Sequence, residues 1–265
     1  MAWQTQREST PRQIAEDNDP RSIAANDVAV YWVDGEEPRA VRMLNRNGGG
    51  VRRIATVGDR TTEIAADAEG VYWISSEVAR GSVPELWTAD TAGADPKRIG
   101  GTSRYPRMLT LAGDFAYWIS REPFGERETV QRLPRSGGEA ESVVELAGSL
   151  NGFVADERGI MYVDAQTLAV YAANGDGSDL VELTHLDQMR SPLVLAGGDA
   201  LVYGDEGLRA ISRTDGRVRT TAAPVQQADH IEVTAARVFT GTATWYPHEG
   251  CFGSELTATA RSQKG

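Results

Sequence analysis

The densest collection of chemically capable side chains lies in residues 242–254 (TATWYPHEGCFGS), where Trp245, Tyr246, His248, Cys251 and Phe252 fall close together. Aromatic residues at that density suit either an interaction surface or a self-packed plug. A second constellation is Arg104-Tyr105-Pro106-Arg107, with two guanidinium groups around a phenol ring. This combination suits recognition of a carboxylate, a phosphate or a peptide, because the planar guanidinium donates in a fork that matches two oxygens. Three histidines, His185, His230 and His248, stand near Asp187, Asp229 and Glu249. That is the residue mix of a metal or general-base cluster. Close H-x-H or H-x-x-x-H spacing is missing, and no metal or cofactor is expected. Cys251 follows His248 by three positions, a loop neighbourhood and not a positioned nucleophile–base pair.

Charge narrows the classes of partner. The 265 residues carry 27 Lys and Arg against 38 Asp and Glu, a formal net charge of −11. Sequence-independent binding to nucleic acid or to an anionic membrane needs a basic patch, whereas here acids and bases interleave along the chain. No nucleic-acid partner is expected. No apolar run reaches the 18 or so residues of a spanning helix, so no integral membrane segment is expected either. The single cysteine excludes an intrachain disulfide, and stability must come from packing.

The elements that position these residues are read from an internal repeat. Six segments share a short apolar strand, an acidic or glycine turn and an apolar–aromatic pair: SIAANDVAVYWV (22–33), EIAADAEGVYWI (63–74), TLAGDFAYWI (110–119), FVADERGIMYV (153–163), VLAGGDALVYG (194–204) and EVTAARVFTG (232–241). Their aromatic anchors, Tyr31, Tyr72, Tyr117, Tyr162, Tyr203 and Phe239, are 41, 45, 45, 41 and 36 residues apart. A further apolar strand, a Gly/Asn/Asp turn such as Asn47-Gly48 or Gly137-Gly138, and a fourth short strand follow each anchor. A period near 40 with four strands per unit predicts an all-β, six-bladed β-propeller. The expected blades are 22–56, 63–100, 107–146, 151–184, 192–221 and 230–265. The last stops short of a fourth strand, and residues 11–15 (PRQIA), which match the fourth strands VRRIA and PKRIG, are expected to complete it as one closed domain.

VYWVD (30–34), VYWIS (71–75) and AYWIS (116–120) resemble YWTD repeats, and IAAND and IAADA resemble the "giAvD" strand of the same family. NGDGSDLVELT (174–184) resembles the repeat of TolB-like propellers. Both families form six-bladed propellers dominated by binding proteins, so the resemblance implies a recognition module. The fourth to sixth units depart from it, with Val163, Gly204 and Thr240 after the anchor where the first three have Trp. Residues 1–20 are polar and lack a signal-peptide core. The protein is then cytoplasmic, or extracytoplasmic after loss of a leader, as the resemblance favours.

On a four-stranded meander the second-to-third-strand loops and the connections between units share one face. The variable lengths (75–84, 120–128 and 242–254) fall there, on the face where a scaffold carries function. Arg104, Tyr105, Arg107, Arg60, Arg190, Trp245, Tyr246, His248 and His230 all map to it and form the expected binding set. The occupant is a protein segment, a peptide or a small anionic ligand, bound by a monomer. The plainer reading pairs the arginines with neighbouring acids as rim charges. The aromatic anchors are expected in the core, and Asp27, Asp67, Asp114, Asp156 and Asp199 are expected to bond within the turn after each first strand. A hydrolase or lyase at the same mouth is the alternative, and Glu63, Asn151 and Glu232 are the few inner-strand candidates to hold a metal for it.

Overall fold

Alternation of β-branched or aromatic residues with smaller ones, broken every few positions by Gly, Asn or Asp, leaves the chain no helical period. The computed structural model accordingly holds strands and no helix among the residues it describes. These are 2–6, 22–34, 38–58, 61, 63–75, 83–121, 127–146, 148–189, 193–196, 198–205, 207–222, 230–233, 237–246 and 251–262, with backbone alone for 2–6, 196 and from 222 onward. The chain divides into two compact units, Gln13–Ala147 and Met1–Arg12 with Gly148–Gly265. Strand β1 (Ala2–Gln6) belongs to the second unit.

The first unit is three consecutive antiparallel meanders. They are β2 (Ser22–Ala25), β3 (Ala29–Val33), β4 (Ala40–Asn45) and β5 (Arg52–Thr56), followed by β6 (Glu63–Ala66), β7 (Gly70–Ser75), β8 (Glu85–Asp90) and β9 (Lys97–Gly101). The third comprises β10 (Arg107–Ala112), β11 (Phe115–Arg121), β12 (Glu128–Pro134) and β13 (Glu141–Leu146). The second unit repeats the plan with β14 (Leu150–Asp156), β15 (Gly159–Asp164), β16 (Ala169–Ala173) and β17 (Val181–His185). Next come β18 (Val194–Ala196), β19 (Asp199–Gly204), β20 (Gly207–Ser212) and β21 (Val218–Ala222). These five meanders are each contiguous in sequence. In the remaining sheet β22 (His230–Val233), β23 (Arg237–Tyr246) and β24 (Cys251–Ser262) take their fourth strand from β1, whose Ala2–Gln6 pair with Ser262–Ala258.

Two expectations change here. The strand on β24 is Ala2–Gln6 and not 11–15, which lie outside the described residues. AWQTQ offers an unbroken row of N–H donors, whereas PRQIA opens on a residue with none. Second, most of 242–254 is hairpin and not loop. Strands β23 and β24 run on until Trp245 faces Phe252 and Tyr246 faces Cys251. The β-branched and aromatic residues of TATWY and CF outweigh the local Gly and Pro.

Within each unit first strands lie side by side, β2 with β6 and β6 with β10, and β14 with β18 and β18 with β22. Second strands form the core. Tyr31, Trp73, Trp118, Tyr203, Met161 and Ile119 are all nearly or fully buried, each worth roughly 1.5–3 kcal/mol of transfer free energy. Neighbouring sheets are also tied through their turns. Tyr31 Oη donates to the Thr91 carbonyl (2.7 Å) and Asn26 Nδ2 to the Asp67 carbonyl (2.7 Å). Arg135, from the third sheet, donates to Tyr72 Oη (3.0 Å) and Asp67 Oδ1 (2.9 Å) of the second. Arg213 meets Asp156 in the same way in the second unit. The turn caps are Asn26, Asp67 and Asp156, whose side-chain oxygens accept from N–H groups two or three residues on. Asp27 and Asp199 instead pair with arginines, Arg46 and Arg219.

Candidate functional site

In the Gln13–Ala147 unit the connection from β9 to β10 is held at both ends. The Thr102 N–H and Oγ1 both donate to the Pro84 carbonyl, at 2.8 and 2.9 Å, and Trp118 Nε1 donates to Ser103 Oγ. At the far end Arg107 forks onto Glu128, Nη2 to Oε2 at 2.6 Å and Nε to Oε1 at 3.3 Å, with Glu128 only 2% exposed. Between these anchors Arg104 and Tyr105 are exposed, Tyr105 at 60%. Tyr105 has φ 52° and Met108 φ 57°, left-handed conformations that cost a residue bearing a Cβ about 1–2 kcal/mol. Such strain persists where surrounding contacts over-determine it.

Met108 lies in an irregularity of β10, where the register against β11 shifts between Arg107 and Thr110. The displaced backbone brings the Leu109 N–H to Glu63 Oε2, 3.2 Å away across the neighbouring sheet. Burial pushes the Glu63 carboxyl up, and the backbone N–H groups of Leu109 and Met108, together with the Arg107 charge, offset only part of that rise. Bulges commonly re-aim groups next to functional sites.

Two more arginines close on acids at this end of the unit. Arg42 Nε lies 2.7 Å from Asp34 Oδ2, with Asp34 almost fully buried, and Arg98 Nε lies 2.6 Å from Glu85 Oε1. Arg104 has no ion pair among the described residues. In the second unit the matching loops are tight: Asp164 Oδ1 accepts from the N–H groups of Gln166 and Thr167 and from Thr167 Oγ1. His185 Nε2 sits 2.9 Å from Glu182 Oε1. Among the described residues no three His, Cys, Asp or Glu side chains gather as metal ligands.

Of the expected binding set, Arg104 and Tyr105 come together on an exposed, anchored loop. Arg107 is engaged with Glu128, a partner on another strand that adjacency in sequence does not reveal. Trp245, Tyr246 and His230 are placed by backbone alone on β23 and β22. Arg60, Arg190 and His248 lie outside the described residues. Three features went unread in the sequence: the buried Glu128, the bulge at Met108, and a groove between the first two sheets. The groove has a volume of about 880 Å3 and is lined by Ala55–Gly58 on one side and Trp73, Ser75, Glu85 and Trp87 on the other.

Comparison with solved structures identifies the architecture. A chain in the nidogen–laminin complex matches with a TM-score of 0.56 at 16% identity, over 77% of this chain and 81% of its own. An oligogalacturonate lyase in complex with manganese matches with a TM-score of 0.63 at 11% identity, over 88% and 74%. The fold is that of a β-propeller. The computationally designed Ika8 protein matches too, with a TM-score of 0.58 at 9% identity over 90% and 70%. No family model matches the chain. At these identities the likeness concerns the propeller fold, and function must be argued from side chains.

Proposed function

We propose that this propeller has six blades, closed by the N-terminal strand in the YWTD or TolB-like manner, and acts as a non-catalytic recognition module. It binds an anionic group, on a protein segment or a small ligand, at the loop-rich face. The observation that carries this reading is the loop of Arg104 and Tyr105, exposed between two fixed ends. A loop whose two ends are fixed before binding loses less backbone entropy on capture. The neighbour in the nidogen–laminin complex is a partner in a protein assembly, which supports a binding role. Arg60, Arg190 and His248, with Trp245 and Tyr246 of β23 and His230 of β22, remain in the proposed contact set. The lyase among the structural neighbours, together with the half-buried Glu63, whose carboxyl is pushed up by burial, favours one second reading: an active site at the same mouth with Glu63 as its acid or base.

Titration calorimetry with blocked hexaglutamate and with inorganic phosphate tests the recognition reading. The wild-type chain should bind one of them, more weakly as salt rises. Arg104→Ala with Tyr105→Ala should weaken that binding by about tenfold or more, with an unchanged melting temperature. Equal binding by the double variant would remove the proposed contact pair.

A further inference from the structure

None of residues 102–107 lines the groove between the first two sheets, and one of its walls is an end strand. Strand β5 is the last strand of its sheet. The Val57 N–H donates to the Arg39 carbonyl at 3.0 Å, and Thr56 stands opposite Ala40. Antiparallel ladders alternate between bonded and non-bonded pairs, so the N–H and C=O of Thr56 point away from β4, toward the unpaired edge. Thr56 is exposed and lines the groove, as do Ala55, Val57 and Gly58. Four consecutive lining residues mean that the groove follows the strand edge and not one alternating face.

The opposite wall supplies an apolar seat. Trp73 and Trp87 face each other on β7 and β8, and Trp87 and Val57 are partly buried against the same core cluster. Charge on the flanking strands points one way. The end strands β5 (RRIAT) and β9 (KRIGG) carry Arg52, Arg53, Lys97 and Arg98, all exposed, and no acid. Of the corresponding strands, β13 (ESVVEL) and β17 (VELTH) carry Glu141, Glu145 and Glu182, while β21 (VRTTA) carries Arg219. Glu85 lines the groove and pairs with Arg98, so with Asp95 nearby the excess positive charge rests on Arg52, Arg53 and Lys97. In a chain of net charge −11, this basic stretch beside an open strand edge complements an acidic extended segment.

We infer that the groove is a second docking site, where an acidic, extended peptide adds as a strand to β5 at Thr56 and seats an apolar side chain between Val57 and Trp87. Strand addition takes affinity from main-chain hydrogen bonds and specificity from pockets that accept alternate side chains. The matching peptide therefore alternates acidic and apolar residues.

The test uses the full chain and an array of blocked nonapeptides, with Asp or Glu at odd positions and Leu, Val or Phe at even ones, read by fluorescence anisotropy. Expected are binders in the micromolar range, weakened about tenfold by Trp87→Ala and about tenfold by N-methylation of the residue opposite Thr56. Salt should weaken them as well, less so in Arg53→Glu/Lys97→Glu. Thr56→Pro removes the outward N–H; should it unfold the protein, the N-methylated peptide poses the same question without altering the fold. The inference fails if no array member binds. It also fails if peptides of equal composition with acids and apolar residues in separate blocks bind as well, or if binding survives Trp87→Ala. Loss of binding in Arg104→Ala alone would assign capture to the mouth instead, so the two sites fail separately.

Discussion

The two seams between sheets of the Gln13–Ala147 unit start from the same repeat and end differently. Both are clamped at their turn ends: Ile54 lies over Gly93 in the first, where an added Cβ would fall 2.7 Å from Cγ1. In the second, the Gly138 N–H donates to the Ile99 carbonyl at 3.2 Å. Toward the loop end they diverge. Gly100 is buried against Leu133, whose Cδ1 an added Cβ would overlap, so the second seam is tightly packed at this position. The equivalent residue in the first seam is Ala55, which lines the groove, and Trp87 stands where the third sheet has Gln131. Glu63 adds a bond to the Leu109 N–H across the second seam, while Ser22, at the matching place on β2, is too short to do so. A few side chains at repeat-equivalent positions decide whether two sheets shut or leave a site.

The largest expected effect comes from forcing the closed seam open. Gly100→Val should cost roughly 3 kcal/mol by overpacking against Leu133, and Ala55→Val, at the equivalent place in the open seam, under about 1 kcal/mol. Urea denaturation of both variants reads the difference, and equal costs would mean that the seams are packed alike.

A smaller effect follows from Glu63. Its carboxyl titrates above the ordinary 4.5 because burial penalises the charge, so the folded chain holds this proton more tightly than the unfolded chain. The associated stability is complete below the ordinary carboxylate range and is lost as pH rises toward the shifted value. Glu63→Gln should flatten that decline in a series of melts from acid toward neutral pH. An unchanged slope would place the Glu63 side chain in solvent, away from the second seam.

Much of this was legible in sequence. The repeated Tyr-Trp pairs and their spacing gave four-stranded antiparallel sheets with aromatic second strands in the core, because alternation and turn residues are local signals. The turn acids were only half legible: the cap is the residue at the end of the first strand or directly after it, Asn26, Asp67 or Asp156, and counting aspartates alone also picked up Asp27 and Asp199. Pairings between strands were opaque. Arg107 meets Glu128 across 21 residues, and the spacing of neither announces the other. Residues 242–254 misled because Gly and Pro suggested a loop, while the β-forming residues around them extend a hairpin. The groove was invisible for a different reason: it turns on differences between repeat-equivalent positions, Ala55 against Gly100 and Trp87 against Gln131, that no local pattern marks.

Recognition by this unit is proposed where packing is left open, at Thr56–Trp87 and at Arg104–Tyr105, and not where it closes. Hydrogen–deuterium exchange of the full chain, alone and saturated with the best peptide of the array or with the anion that binds the mouth, tests it directly. Added protection is expected at 55–58 with the peptide and at 102–107 with the anion, with 99–101 unchanged in both cases. Protection confined to 99–101, or to neither loop nor groove, would contradict it.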